Sequence, residues 1–230
     1  MKRPGSIKYI PLKPVVLALV LAFLATACSY DLWIDRDAFD SGEAVALERN
    51  WDWYLTQMNT GPDSPSNCGP ASAAMAVRYY RNSDVGVREV RDLLPARRGW
   101  WYLADVAGVL NHYGVSYSYR RLVMKEQIIN DLAEGRLVII VLDMSRLTPE
   151  DGKHETRYNR YYDGVTGHFI VLNGYTADKR WFSVYDPNTR RNDYYADASP
   201  KGKRRLYLAD EVVASMKIWN PVYMALARGE

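Results

Sequence analysis

A cysteine at the start of an alanine-rich helix pattern constrains the fold of this 230-residue chain more than any other feature of its sequence. Residues 61–67 are glycine, proline, aspartate, serine and asparagine, which is typical of a loop. Pro70 suits the first turn of a helix, and residues 71–80 are good helix formers. The pattern predicts a helix over 71–81 with Cys68 at or just before its N-terminus. Small residues would let this helix pack closely inside the domain: Ala71, Ala73, Ala74 and Ala76.

This position has a consequence for the Cys68 thiol. Free N–H groups and the positive end of the helix dipole lower the pKa of a thiol and favour the thiolate, which is the nucleophilic form. The same N–H groups can stabilise an oxyanion. The alternative is a buried, unreactive cysteine, which is the commoner fate of a free cysteine. A nucleophile also needs a base elsewhere in the chain.

Residues 1–27 have the pattern of an export signal. Four basic residues and no acidic one lie in 1–14, followed by an uncharged stretch over 15–27. At about 1.5 Å per residue this stretch spans about 20 Å, less than the bilayer core of about 30 Å. An uncleaved anchor is the alternative. The Ala-Thr-Ala-Cys junction resembles a bacterial lipoprotein signal, with Cys28 as the lipidated residue, and Ser29 after it resembles the pattern for the outer membrane. We therefore expect a lipid-anchored protein of the bacterial cell envelope, on the periplasmic face of the outer membrane.

Removing this signal changes the charge balance. The whole chain has 30 basic and 27 acidic residues, a formal net charge of +3. Without 1–27, 26 basic residues remain against 27 acidic ones, a net charge of −1. No basic stripe replaces the lost charge, so we expect no nucleic-acid partner. The rest is long enough for one domain with a sizeable core, which we assign to 57–230. Residues 28–56 form an N-terminal extension whose aromatic content favours packing on that domain.

The chain has only three histidines that could serve as the base for Cys68. Two cysteines in an exported protein suggest a disulfide, but a lipidated Cys28 leaves Cys68 without a partner. His112 suits a helix C-terminus, and His154 lies in a charged, loop-like stretch. His168 opens an apolar strand after a loop, where its ring can face a cleft. We predict His168 as the partner of Cys68.

Asp186 is the candidate group that orients His168. Two apolar strands, 168–175 and 181–186, are joined by a short connection and indicate a hairpin. The start of the first strand and the end of the second then lie side by side. A carboxylate at that place holds the tautomer and orientation of the imidazole. The alternative is that Asp-Pro-Asn only marks a turn.

The other elements follow from hydrophobic periodicity. Helices are predicted at 71–81, 87–94, 103–113, 125–134 and 208–219. Strands are predicted at 115–119, 137–142, 168–175, 181–186 and 222–227, with 137–142 as a buried central strand. Helices come mostly before strands, which is typical of an α+β fold with a mostly antiparallel sheet.

Three motifs occur in a fixed order: Asn-Cys-Gly-Pro-Ala-Ser-Ala-Ala-Met-Ala-Val-Arg-Tyr-Tyr from residue 67, Gly-His-Phe-Ile-Val-Leu-Asn-Gly-Tyr from residue 167, and Val-Tyr-Asp-Pro from residue 184. Together they resemble the bacteriocin-processing (double-glycine leader) cysteine peptidase family of the papain-like superfamily, over about 57–190. The resemblance implies a papain-like fold with the nucleophile at a helix N-terminus packed on the sheet. It implies Cys68 as nucleophile, His168 as general base and acid, and Asp186 as orienter. No transporter is attached, so we do not expect leader cleavage coupled to secretion.

The resemblance also implies a side-chain donor to the oxyanion. The family usually has a glutamine about six residues before the cysteine, but that position is Pro62 here. The nearest glutamine is Gln57, eleven residues before the cysteine. An insertion of five residues that loops out would leave Gln57 in place, and Asn67 is the alternative donor.

The connection 144–167, just before His168, is long for a loop. It contains Tyr158, Tyr161 and Tyr162. Connections of this length are usually functional or disordered. We interpret it as a flap whose aromatic residues contact substrate, with a solvated excursion as the alternative.

The leading expectation is a cysteine hydrolase that cleaves an amide bond of a peptide or protein in the cell envelope. The same three residues would serve a cell-wall amidase or a transpeptidase. The other class is an inactive peptidase-like lipoprotein that binds or assembles a partner. One cysteine and three scattered histidines show no ligand spacing, so we expect no metal, and we expect no cofactor.

Overall fold

The structure is a computed structural model that describes residues 44–97, 99–151 and 156–227. The predicted signal segment 1–27, the lipidation candidate Cys28 and the loop histidine His154 lie outside the described residues.

The described residues form the following elements, in chain order: β1 (Val45–Ala46), α1 (Cys68–Arg81), α2 (Val87–Asp92), α3 (Leu103–His112), β2 (Tyr117–Arg121), α4 (Lys125–Ala133), β3 (Val138–Leu142), β4 (His168–Tyr175), β5 (Trp181–Tyr185), β6 (Arg205–Leu208), α5 (Ala209–Trp219) and β7 (Val222–Leu226). Short 3-10 turns lie at Ser64–Ser66 and Met144–Arg146.

One antiparallel sheet connects the strands, in the spatial order β2-β7-β3-β4-β5-β6. The short β1 adds to the far end of β4, where Val45 pairs with Tyr175. Strand β4 is buried along its whole length, because it has neighbours on both edges and side chains packed on both faces. The fold is the α+β fold with an antiparallel sheet that the sequence predicts.

Helices cover both faces of the sheet. Side chains of successive strand residues point to opposite faces, and β3 follows this rule. Its Ile139 and Val141 pack in the core formed with α1 and α3. Its Val138, Ile140 and Leu142 pack in the core formed with α4 and α5. This arrangement places the N-terminus of α1 near the end of β4 where His168 lies.

Most boundaries agree with the predicted ones, and the exceptions have local causes. The N-terminus of α1 is Cys68 itself, three residues before the predicted start. Strand β2 begins two residues later than predicted, because the N–H of Val115 donates to the carbonyl of Leu110 at 2.8 Å and closes the end of α3. Two strands were not predicted: β1, of two residues, and β6, which follows the charged and glycine-containing residues 201–204.

The described part of the N-terminal extension packs against the sheet. Besides the β1 pairing, the ring of Trp53 stacks on Tyr185 with 3.9 Å between centroids. Trp53 is almost completely buried. Within the described ranges, none of the helices combines the length and the apolar character needed to cross a bilayer.

Candidate active site

Cys68 is the first residue of α1, and its thiol is free and buried. The thiol lies beside the side chain of His168, the first residue of β4. The backbone N–H groups of Gly69 and Phe169 also lie close to its sulfur and favour its charged form. The sulfur therefore lies where the start of the helix meets the start of the strand.

His168 joins Cys68 to Asp186. Its Nε2 lies 2.8 Å from Oδ1 of Asp186, and both side chains are buried. Because Nε2 faces the carboxylate, Nδ1 is the ring nitrogen left for the thiol. The β4–β5 hairpin produces this proximity, since Val171 pairs with Tyr185 and Asp186 directly follows β5. The structure thus brings together the three residues that the sequence predicts.

Cys68, His168 and Asp186 shift one another's pKa values. Burial alone raises the pKa of the Cys68 thiol, but the hydrogen bond and charge of His168 and the two backbone N–H groups outweigh it, so the pKa is lowered. Burial alone lowers the pKa of His168, but the charge and hydrogen bond of Asp186 outweigh it, and the pKa rises to about 10. Both shifts favour a thiolate beside an imidazolium near neutral pH.

The carboxylate of Asp186 is fully buried and hydrogen-bonded on both oxygens. Its Oδ1 accepts from the N–H of Asn188 at 2.9 Å as well as facing His168. Its Oδ2 accepts from the hydroxyl of Tyr162 at 2.8 Å and from that of Tyr207 at 2.6 Å. Burial acts to raise the pKa of Asp186, but His168, Tyr207 and Asn188 lower it overall.

Gln57 lies beside this group, but its amide contacts another part of the chain. It is buried, and its backbone N–H donates to the carbonyl of Pro187 at 2.8 Å. Its side-chain Nε2 donates to the carbonyls of Ser64 and Pro65, at 3.1 and 3.2 Å. The intervening residues loop out as turns and a 3-10 helix. To donate to an oxyanion, Nε2 of Gln57 would have to give up its hydrogen bonds to these two carbonyls. The role of Gln57 as oxyanion donor therefore stays a prediction.

Asn67, the alternative donor, has a structural set of contacts. Its Nδ2 donates to Oγ1 of Thr60 at 2.8 Å. Its Oδ1 accepts from Nε of Arg91 at 2.6 Å. Arg91, which is buried, also donates to the carbonyls of Ser66 and Gly99. These contacts hold the loops on both sides of the N-terminus of α1.

The remaining sequence candidates lie elsewhere or take other roles. His112 is exposed in the last turn of α3, and its ring lies edge to face with Tyr113. The tyrosines of 144–167 pack into the domain. Tyr158 lies edge to face with Trp181, and the hydroxyl of Tyr161 lies 3.3 Å from Oγ1 of Thr189. Tyr162 belongs to the Asp186 group.

A groove lies on the side of Gly69 and Phe169, the residues that follow Cys68 and His168 in the chain. Its cavity volume is about 490 Å³, and none of the described residues that line it is charged. Trp101 forms one wall so close to Gly69 that a Cβ there would lie 2.8 Å from the Trp101 Cβ. Aromatic and apolar side chains dominate the lining: Trp100, Trp101, Tyr102, Val141, Phe169 and Trp219.

The sequence matches a family model over residues 53–211, and that model is described as the Peptidase_C39 like family. The match covers more than half of the chain. The chain belongs to this family. Cys68, His168 and Asp186 all lie inside the matched residues of the Peptidase_C39 like family. A comparison with curated proteins returned no match.

Several solved structures are similar to this chain. A protein described as a C39-like peptidase from Bacillus anthracis has 14% identity and a TM-score of 0.50, over 82% of this chain and 100% of that one. The peptidase domain of Streptococcus ComA, a bifunctional ABC transporter involved in a quorum-sensing pathway, has 16% identity and a TM-score of 0.48, over 76% and 97%. Xylellain, a cysteine protease from Xylella fastidiosa, has 11% identity and a TM-score of 0.45, over 82% and 87%. The Bacillus anthracis structure, at a TM-score of 0.50, shows that the fold is the papain-like one.

Sequence reasoning missed the two tyrosines on Asp186 and the buried Arg91. An alternating pattern, Arg205-Leu206-Tyr207-Leu208, was available as a strand signal that would have placed Tyr207 on the sheet. No comparable signal marks Tyr162 or Arg91. Among the described residues, no group of three or more histidine, cysteine, aspartate or glutamate side chains is arranged to hold a metal ion.

Proposed function

We propose that this protein is a cysteine peptidase that hydrolyses an amide bond of a peptide or protein through Cys68, His168 and Asp186. The observation that carries the proposal is the placement of the Cys68 thiol beside His168, whose Nε2 lies 2.8 Å from the buried Asp186 carboxylate. Membership of the Peptidase_C39 like family supports it.

The chemistry follows from the charges of the group. The Cys68 thiolate attacks the carbonyl carbon of the substrate, and the negative charge moves to the carbonyl oxygen. The N–H of Cys68 has no acceptor within the helix, because it belongs to the first residue of α1, and it is a donor for that oxygen. His168 then protonates the leaving amine, and an acyl-enzyme remains. His168 next takes a proton from water, and the hydroxide releases the acid and the thiolate.

The groove beside Cys68 supports a peptide substrate with an apolar side chain near the cleaved bond. The part of its lining that the structure describes carries no charge, so a charged substrate side chain would lose its hydration there without gaining a partner of opposite charge. Trp100 and Trp219 are about half exposed at its rim and offer aromatic surface to such a side chain. The groove lies directly beside the helix start that carries the nucleophile.

The pH dependence of Cys68 alkylation tests the proposal. In a Cys28→Ser chain Cys68 is the only thiol, since the sequence has two cysteines. We expect iodoacetamide to react with a midpoint well below the ordinary thiol value of about 8.5. The sign follows from the lowered pKa of Cys68, because the thiolate persists as pH falls until that lower pKa is reached.

The same chain unfolded in guanidinium is the control for this measurement. It should react with an ordinary midpoint, because unfolding separates Cys68 from His168. An ordinary midpoint in the folded protein would instead support an inactive binding protein and overturn the proposed mechanism.

We also propose that Cys28 carries a lipid anchor in the bacterial cell envelope, on the basis of the sequence pattern alone. The full chain expressed in a diderm bacterium with radiolabelled palmitate should incorporate the label and sediment with membranes. A Cys28→Ser chain should do neither and should keep the reactivity of Cys68. Equal labelling of the two chains would contradict the anchor.

A further inference from the structure

The carboxylate of Asp186 has more partners than orientation of His168 requires. Two tyrosine hydroxyls donate to Oδ2, the oxygen that does not face His168, at 2.8 and 2.6 Å. They come from different parts of the chain, Tyr162 from the connection before β4 and Tyr207 from β6. Two donors on one oxygen fix the rotation of the carboxylate and leave Oδ1 aimed at His168.

We propose that Tyr162 and Tyr207 are positioning residues, which hold Asp186 ionised and oriented toward His168. The inference rests on the proposed function, since it concerns the same group. Each hydroxyl stabilises the charged form of a buried carboxylate, and hydrogen bonds to a charged group are stronger than those between neutral groups. A buried Asp186 without them would bind a proton at a higher pH.

Strand β6 supplies one of these tyrosines directly and holds the other in place. Arg205 lies two residues before Tyr207, on the same face of the strand, and its side chain is completely buried. It donates to the carbonyls of Tyr158 and Asn159 at 2.7 and 2.5 Å. These carbonyls belong to the connection that carries Tyr162. The two carbonyls lie three and four residues before Tyr162, so the buried guanidinium helps to fix the backbone that leads to this tyrosine.

Apart from His168, the ionisable side chains around Asp186 are tyrosines that do not change charge when the carboxylate binds a proton. His168, Tyr162 and Tyr207 contact its carboxylate oxygens, and the hydroxyl of Tyr54 donates to its backbone carbonyl at 2.8 Å. Tyr161 lies close by. Burial raises the pKa of each of the four tyrosines well above 10, and the Asp186 charge raises it further. The hydroxyls therefore stay protonated and keep donating over the working pH range.

The test is the acid midpoint of iodoacetamide alkylation of Cys68 in Tyr162→Phe, Tyr207→Phe and the double variant, each in the Cys28→Ser chain. As pH falls, protonation of Asp186 removes the partner of the imidazolium, and the thiolate is then lost at a higher pH. We expect the midpoint to rise by about one pH unit or more in the double variant and by less in each single variant. Tyr162 is only half buried, so Tyr162→Phe keeps the test available if Tyr207→Phe folds poorly.

Tyr223→Phe is the matched control. Tyr223 is a buried tyrosine whose hydroxyl donates to another buried aspartate, Asp131, at 2.9 Å. It should lower the melting temperature in a similar way and leave the alkylation midpoint unchanged. A wild-type midpoint in the folded Tyr162 and Tyr207 variants would overturn the positioning role alone. An ordinary thiol in the parent chain would overturn the proposed function and this inference with it.

Discussion

Cys68→Ala should lower kcat/KM for peptide cleavage by about 10⁴-fold or more while the domain stays folded. The substitution removes the only atom that forms the acyl-enzyme, and loss of the nucleophile leaves only oxyanion stabilisation and binding. Alanine fits a helix start in a closely packed core, so the free energy of unfolding should change by only about 1 kcal/mol. Mass spectrometry of a mixed peptide library measures the loss. In the active protein, cleavage should favour peptides with an aromatic or aliphatic residue near the cut over those with a charged one.

Ser72→Ala is the matched control for this experiment. Ser72 lies one turn further along α1 and is buried, and its hydroxyl has no hydrogen-bond partner among the residues that the structure describes. Removing it should leave both cleavage and the melting temperature close to those of the parent. If Cys68→Ala cleaved peptides at the parental rate, Cys68 would not be the nucleophile.

Asp186→Asn should move the alkaline limb of kcat/KM to lower pH by about one to three units. The Asp186 charge is the main cause of the raised pKa of His168, which lies at about 10. Without that charge the imidazolium loses its proton at lower pH and cannot protonate the leaving amine. At pH 9 the rate should fall by up to about 100-fold. Asparagine keeps the size of the side chain, and the hydroxyls of Tyr162 and Tyr207 can turn to accept from its amide.

Asp131→Asn separates this effect from a general loss of stability. Asp131 is also buried, and it forms an ion pair with Arg120 at 3.1 Å in a separate part of the fold. Removing one partner of such a pair destabilises the protein, so the melting temperature should fall. The pH profile of kcat/KM should not change. An unchanged alkaline limb in Asp186→Asn would show that Asp186 does not control His168.

The central parts of the site were predictable because local patterns determine them. Strand β4 has the predicted bounds, His168–Tyr175, since an apolar run that follows a loop and leads into a short connection marks the first strand of a hairpin. The hairpin that follows is short, so its register brings Asp186 to His168 without information from distant residues. The N-terminus of α1 is similarly local, because Pro70 and the loop before Cys68 define it.

The rest of the site depends on packing between distant segments. Tyr162 and Tyr207 reach Asp186 from parts of the chain that are separated by 24 and 21 residues from that carboxylate. Nothing in the residues next to either tyrosine indicates this contact. The side-chain amide of Gln57 is oriented by the carbonyls of Ser64 and Pro65. These carbonyls reach the amide only when the chain has folded. The sequence predicts a flap over the cleft for the connection 144–167, but its Tyr161 and Tyr162 pack around Thr189 and Asp186.

The pairing of β6 with β5 near the end of the domain has a consequence for the order of events during synthesis. The groups around Asp186 come from residues between Tyr54 and Tyr207, so contacts between distant parts of the chain must form before the carboxylate is held. A nascent chain that ends before Arg205 contains Cys68, His168 and Asp186 but lacks β6. Cys68 is therefore translated early, and the hydrogen bonds around Asp186 are completed only when almost the whole domain has folded. On the proposed function, a chain that ends before β6 would hold the Asp186 carboxylate less firmly than the complete domain does.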